Sequence, residues 1–112
     1  MLKVIAFLAK RPDIKREAFV DYYEKHHIPL VRSLAPTPLV YKRNYLVRGD
    51  DFNREDDAID FDVVTELVFA DRSAFVDWIQ KLSVDAIGED EARFLDRSRT
   101  RAYVVEERVT AG

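Results

Sequence analysis

The N-terminal segment, residues 2–10, constrains the fold of this chain more than any other part of the sequence. Its apolar residues fall on both sides of an alternating pattern: Leu2, Val4, Ala6 and Leu8 on one side, and Ile5, Phe7 and Ala9 on the other. Successive side chains of a strand point to opposite faces, so the pattern predicts a strand that is buried on both. Helices of so short a chain can cover one sheet face, and a second copy would cover the other. We therefore expect a symmetric homodimer.

Strand and helix patterns follow one another in the order β-α-β-β-α-β, which is the ferredoxin-like arrangement. After the N-terminal strand, three further strands are predicted: residues 39–47, 63–69 and 101–107. This order predicts an α+β fold, with a four-stranded antiparallel sheet and helices on one face. The length of 112 residues fits one domain, residues 1–112. This element order and the first strand with its two apolar faces together predict a dimeric α+β barrel.

Helical segments are predicted between these strands. Asp13 is expected to cap the first helix, which runs to about residue 33. Pro29 is expected either to kink this helix or to end its regular part. Asp71 is expected to cap the second helix. A short helical piece, residues 89–95, is expected to follow Gly88.

Charge and composition exclude several classes of function. The net charge is −3 and the chain has no basic stripe that would neutralise phosphates, so nucleic acid is not an expected partner. The absence of cysteine excludes disulfides and thiolate metal sites. The apolar N-terminal segment is too short to cross a membrane and lacks a cleavage region, so we expect a cytoplasmic protein with no membrane partner. An acidic run, residues 50–57, predicts a solvated loop because it lacks the spacing of a calcium loop.

One segment resembles a known family. The sequence Phe19-Val20-Asp21-Tyr22-Tyr23-Glu24-Lys25-His26-His27-Ile28-Pro29-Leu30 is similar to the helix signature of EthD-like proteins, whose histidine falls on His27. Weaker similarities lie in residues 41–44, 62–69 and 89–96. The resemblance implies a dimeric α+β barrel with a cavity between helices and sheet. It does not fix a reaction, because proteins that share a fold differ in function.

Two side chains are the candidate catalytic groups. The imidazole of His27 can take or give a proton near neutral pH, although it can equally donate a hydrogen bond to a core carbonyl. The resemblance selects His27 over His26. Glu66 interrupts an otherwise apolar strand, so it is either a cavity carboxylate near the histidine or one half of an ion pair with Arg43 or Arg101.

Three further residues are candidates for contacting a substrate, namely Tyr23, Tyr41 and Asn44, although tyrosines are often core residues with one satisfied polar tip. No metal site is expected, because adjacent histidines on a helix point about 100° apart. No cofactor motif is present. The leading hypothesis is a cofactor-free enzyme acting on a cyclic or aromatic small molecule by histidine-assisted proton transfer, as an isomerase, cyclase, dehydratase or monooxygenase-like protein. The alternative is a non-catalytic small-molecule-binding or stress-response protein on the same dimer.

Overall fold

The computed structural model describes residues 1–55 and 59–112. Four strands form one antiparallel sheet in the order β2-β3-β1-β4: β1 Leu2–Leu8, β2 Val40–Tyr45, β3 Val63–Phe69 and β4 Arg101–Val105. The four predicted strands and the α+β fold are therefore confirmed, with β1, β2 and β4 shorter than the sequence pattern indicated. Part of the predicted acidic loop, Asp56 and Asp57, lies outside the described residues.

Period-two alternation explains how the sheet is buried. The helices pack on the face that carries seven inward residues of β1 and β3, all of them buried: Val4, Ala6, Leu8, Val63, Thr65, Leu67 and Phe69. The opposite face carries the partly buried Ile5, Phe7, Val64 and Val68, and beside them the half-exposed Tyr103. The two apolar faces of β1 are thus as predicted. Within residues 1–55 and 59–112, helices cover only one of these faces.

The first helical segment contains a wide turn. It consists of α1 Arg16–Tyr22, a π-helical turn Tyr23–His27 and α2 Ile28–Leu34. The amide of Ile28 bonds the carbonyl of Tyr23, five residues earlier. Pro29 is the physical reason, because it has no N–H and its ring clashes with the preceding turn of a regular α-helix. The interruption expected at Pro29 takes the form of this π turn.

Two predictions about helix ends are wrong. Asp13 does not cap α1, because its carboxylate bonds the Arg11 guanidinium at 2.9 and 2.6 Å, and the helix begins only after Lys15. The late helix α4 spans Asp85–Ala92, so that Gly88 lies within it rather than before it. The other cap is confirmed: Asp71 accepts a hydrogen bond from the amide of Ala74 at 2.8 Å, at the start of α3, Arg72–Leu82. No helix among the described residues is both long and apolar enough to cross a membrane.

Candidate functional site

The π turn and α4 bring together a histidine, an aspartate and a tyrosine. His27 Nδ1 lies 2.8 Å from Asp90 Oδ2, and the Tyr22 hydroxyl donates to Asp90 Oδ1 at 2.6 Å. His27 is 7% exposed and Asp90 is 9% exposed. Because both oxygens of the carboxylate accept a hydrogen bond, its position is fixed from two sides.

The Asp90 carboxylate determines the tautomer of the imidazole. An ionised carboxylate only accepts hydrogen bonds, so His27 Nδ1 carries the proton of the 2.8 Å contact. In the neutral ring, Nε2 then holds the lone pair that can accept a proton. This is the arrangement of an oriented histidine base, in which the carboxylate also stabilises the charged ring.

Aromatic rings surround the imidazole and fix its plane. The His27 ring centroid lies 4.9 Å from that of Phe94 and 5.5 Å from that of Tyr23. Its neighbour His26 is exposed and stacks on Tyr22 with a centroid distance of 4.9 Å. The two histidines therefore occupy different environments, and only His27 belongs to the buried cluster.

Tyr23 and Tyr41, two of the predicted substrate contacts, lie on the same sheet face as His27. The Tyr23 hydroxyl shares a 2.9 Å hydrogen bond with Thr65 Oγ1, and burial raises the pKa of Tyr23 to about 12. Burial, followed by the nearby Tyr23, raises the pKa of Tyr41. Both phenols are therefore neutral near pH 7 and can donate a hydrogen bond.

A second polar cluster joins the π turn to β2. The Glu24 carboxylate accepts two hydrogen bonds from the Arg43 guanidinium, at 2.9 and 2.7 Å, and one from the Tyr45 hydroxyl at 2.5 Å. The pKa of Glu24 is lowered, chiefly by Arg43. The guanidinium also lies over the Tyr41 ring, 5.1 Å from its centroid. Since its charge is matched here, Arg43 is not the partner expected for Glu66.

The structure does not bring Glu66 to His27, which corrects the expected geometry. Glu66 lies on the sheet face opposite the helices, where its carboxylate contacts Lys3 Nζ at 2.9 Å and the Asn44 amide at 3.0 Å. These two contacts lower the pKa of Glu66. Asn44 is likewise on that face. The alternation of β3 already implied this, because Glu66 alternates with the buried Thr65 and Leu67.

Asp90 is the functional candidate that sequence reasoning missed. It lies within the segment 89–96 that resembles the EthD pattern, but it was not among the candidate residues. It reaches His27, 63 positions away in the chain, because α4 packs with Asp90 facing the π turn. Its place inside the segment 89–96 is the sequence signal that could have identified it.

A cleft borders this cluster at the α3–α4 junction. It has a volume of about 680 Å³ and includes Ile87, Gly88 and Glu91, which flank Asp90 along the helix, and also Arg97. Burial raises the pKa of Glu91. The His27 imidazole is not part of the lining of this cleft. Among the described residues, no group of three or more histidine, aspartate or glutamate side chains is arranged to hold a metal ion.

Comparisons with known proteins agree with the resemblance. The family model described as EthD domain matches residues 11–98. A crystal structure of an EthD family protein from Bacillus halodurans is similar with a TM-score of 0.64 and 22% identity, covering 96% of this chain and 100% of that one. HapK from Hahella chejuensis has a TM-score of 0.61 and 13% identity, over 100% and 96% of the two chains.

A hydroxynitrile lyase from Passiflora edulis is also similar, with a TM-score of 0.55 and 14% identity over 97% of this chain and 96% of that one. A search of curated proteins found no match. Because these structural identities are below 25%, they show a common fold, and the chemistry has to be argued from the site itself.

Proposed function

The chain belongs to the EthD domain family, and on this premise we propose that it is a small cofactor-free enzyme acting on a cyclic or aromatic small molecule by histidine-assisted proton transfer. The observation that carries the proposal is the contact of 2.8 Å between His27 Nδ1 and Asp90 Oδ2. An imidazole held in one tautomer by a carboxylate is suited to general acid/base chemistry. The name of the lyase with the same fold is consistent with an enzyme.

In this mechanism His27 Nε2 removes a proton from the substrate, and the ring becomes an imidazolium that Asp90 stabilises. The same nitrogen then returns the proton to another substrate atom, which gives an isomerisation, a cyclisation or an elimination. Tyr22 holds the second Asp90 oxygen and so acts as a positioning residue. Tyr23 and Tyr41, as neutral phenols, would donate hydrogen bonds to a substrate oxygen.

Glu66 and Asn44 take part in the proposal only through the other sheet face. That face carries exposed and partly buried apolar residues around the Lys3–Glu66 ion pair. A second copy that covered it would enclose Glu66 and Asn44 in the interior of a dimeric barrel, on the side of the sheet away from His27. We therefore retain the homodimer as part of the proposal.

The test compares the two adjacent histidines. We expect His27→Ala to reduce turnover by about 10²–10⁴-fold, the typical value of one positioned acid/base group, while His26→Ala keeps most of it. Before a substrate is known, proton NMR titrations of both imidazoles with phenol and δ-valerolactone serve as the first assay. Specific binding that perturbs only the His26 signals would reject the assignment.

A non-catalytic binding protein is the second candidate, and one observation favours it. His27 is 7% exposed and does not line the cleft beside Asp90. This is what is expected of a histidine that only supports the core. In that case His27→Ala lowers stability, yet the variant still binds whichever probe binds the unaltered protein, and neither protein turns a ligand over.

A further inference from the structure

Glu24 lies in the π turn and has no role in the proposed proton transfer. Its carboxylate accepts hydrogen bonds from the Arg43 guanidinium at 2.9 and 2.7 Å and a third from the Tyr45 hydroxyl. Because both oxygens are bonded, we assign Glu24 no acid/base role. The Glu24 and Arg43 side chains are only 35% and 20% exposed, and a bidentate pair of this kind is among the stronger polar contacts. Such a pair fixes the two elements that it joins relative to each other.

The sheet holds the start of the π turn at one point. Tyr23 shares its hydrogen bond of 2.9 Å with Thr65 of β3, and Glu24, the next residue, bonds Arg43 of β2. Thr65 and Arg43 are opposite each other in the register of the two strands. The guanidinium is itself fixed to β2, because its Nη1 donates to the Tyr41 carbonyl at 2.9 Å. The first two residues of the turn are thus bound to one cross-strand pair.

The end of the π turn is bound to a different element. His27, the last residue of the turn, pairs with Asp90 of α4. A π turn has one residue more than a turn of regular α-helix, so a return to α spacing would rotate His27 by about 100° relative to Tyr23. Such a rotation would take the imidazole away from the Asp90 carboxylate. The contact between His27 and Asp90 therefore depends on the π turn being kept.

Pro29 alone does not select this turn. It removes one N–H from the helical ladder, and a helix responds to that loss with a kink or an early end as readily as with a π turn. The contacts of Tyr23 and Glu24 with the sheet supply the further constraint, because they set where the turn begins.

We propose that the Glu24–Arg43 pair is a positioning element for His27: by holding the π turn on β2, it keeps the imidazole aligned with the Asp90 carboxylate. Its catalytic meaning rests on the proposed function, in which His27 transfers the proton. The alignment itself is measurable without a substrate, because it sets the tautomer of the His27 ring. The two proposals can therefore fail separately.

Glu24→Gln keeps the size of the side chain and removes the charge that binds the guanidinium. We expect the ratio of the Nδ1–H to the Nε2–H form of His27, read from nitrogen-15 NMR of the folded protein, to fall roughly tenfold, as for the loss of one hydrogen bond to a charged group. The control is Asp60→Asn, which weakens a bidentate pair with Arg101, at 2.9 and 2.8 Å, on the opposite sheet face. A general loss of stability lowers Tm without moving this ratio. An unchanged ratio in Glu24→Gln, or an equal fall in both variants, overturns the proposal.

Two further variants keep the test decisive if Glu24→Gln fails to fold. Arg43→Gln removes the donor of the same pair and should lower the tautomer ratio by a similar factor, with no further fall in the double variant, because the two residues act as a unit. Tyr45→Phe removes only the third hydrogen bond and should lower the ratio about twofold. An unchanged ratio in any of these variants that folds, or additive effects within the pair, would contradict the positioning role.

Once a substrate is known, turnover separates this proposal from the proposed function. Glu24→Gln should lower kcat by about tenfold and leave KM unchanged, because a positioning residue acts on the reacting group and not on substrate binding. In a His27→Ala background the same change should have no further effect. If the tautomer ratio falls in Glu24→Gln while His27→Ala retains turnover, the proposed function fails and the alignment by the pair stands.

Discussion

Replacing Asp90 with alanine tests the buried hydrogen-bond cluster most directly. The change removes the acceptor of two donors, His27 Nδ1–H at 2.8 Å and the Tyr22 hydroxyl at 2.6 Å. His27 is buried, so water cannot easily replace the lost acceptor. Tyr22 is only partly buried, and its hydroxyl regains part of its hydrogen bonding from solvent.

The magnitude follows from these two contacts. A hydrogen bond to a charged group is worth about 1.5–3 kcal/mol, and the partly exposed tyrosine adds about 0.5–1 kcal/mol. Alanine returns roughly 0.5 kcal/mol because it is the better helix former. We therefore expect Asp90→Ala to lower the free energy of unfolding by about 1.5–3.5 kcal/mol, which corresponds to a fall in Tm of roughly 6–15 °C for a chain of this length.

Thermal melting followed by circular dichroism measures this loss. The control is Asp21→Ala, which removes an exposed aspartate that pairs with Lys25 on α1 and should change stability by no more than about 0.5 kcal/mol. Nitrogen-15 NMR of the imidazole provides a second readout, because Asp90→Ala should release His27 from the Nδ1–H tautomer. Equal melting temperatures for the two variants, or an unchanged tautomer, would refute the reasoning.

Three further outcomes are expected. Burial raises the pKa of Glu91 in the folded state, so its contribution to stability is present below about pH 4.5 and lost as pH rises. In urea unfolding, Glu91→Gln should therefore stabilise the protein at pH 7 but not at pH 4. The control, Glu89→Gln at an exposed position, should leave stability unchanged at both pH values. Glu66→Leu should cost less than about 1 kcal/mol in melting experiments, because Lys3 keeps its contact with Glu107 at 2.5 Å; a larger loss would mean that Lys3 is left as an uncompensated charge. Light scattering after size-exclusion chromatography should give twice the 13.1 kDa chain mass, and a monomer at micromolar concentration would contradict the dimer.

Local patterns were sufficient for much of the fold. The alternation in β1 and β3 assigned each side chain to its sheet face, because the period of a strand is fixed by its geometry. Asp71 caps α3 as predicted, since the cap needs only its own helix. Pro29 interrupts the helix for an equally local reason, the missing N–H. The EthD-like segment selected His27 over His26, and it is His27 that lies in the buried cluster.

Asp13 had the right residue type for a cap, but Arg11, two positions away, binds its carboxylate instead. Contacts distant in sequence decided the rest. Asp90, and not Glu66, contacts His27, because α4 packs beside the π turn although the two residues are 63 positions apart. Sequence alone determined which side chains share a face, since that depends on the neighbouring residues of one element. Only the tertiary structure decided which faces meet, because the packing of helices on the sheet is a property of the whole chain.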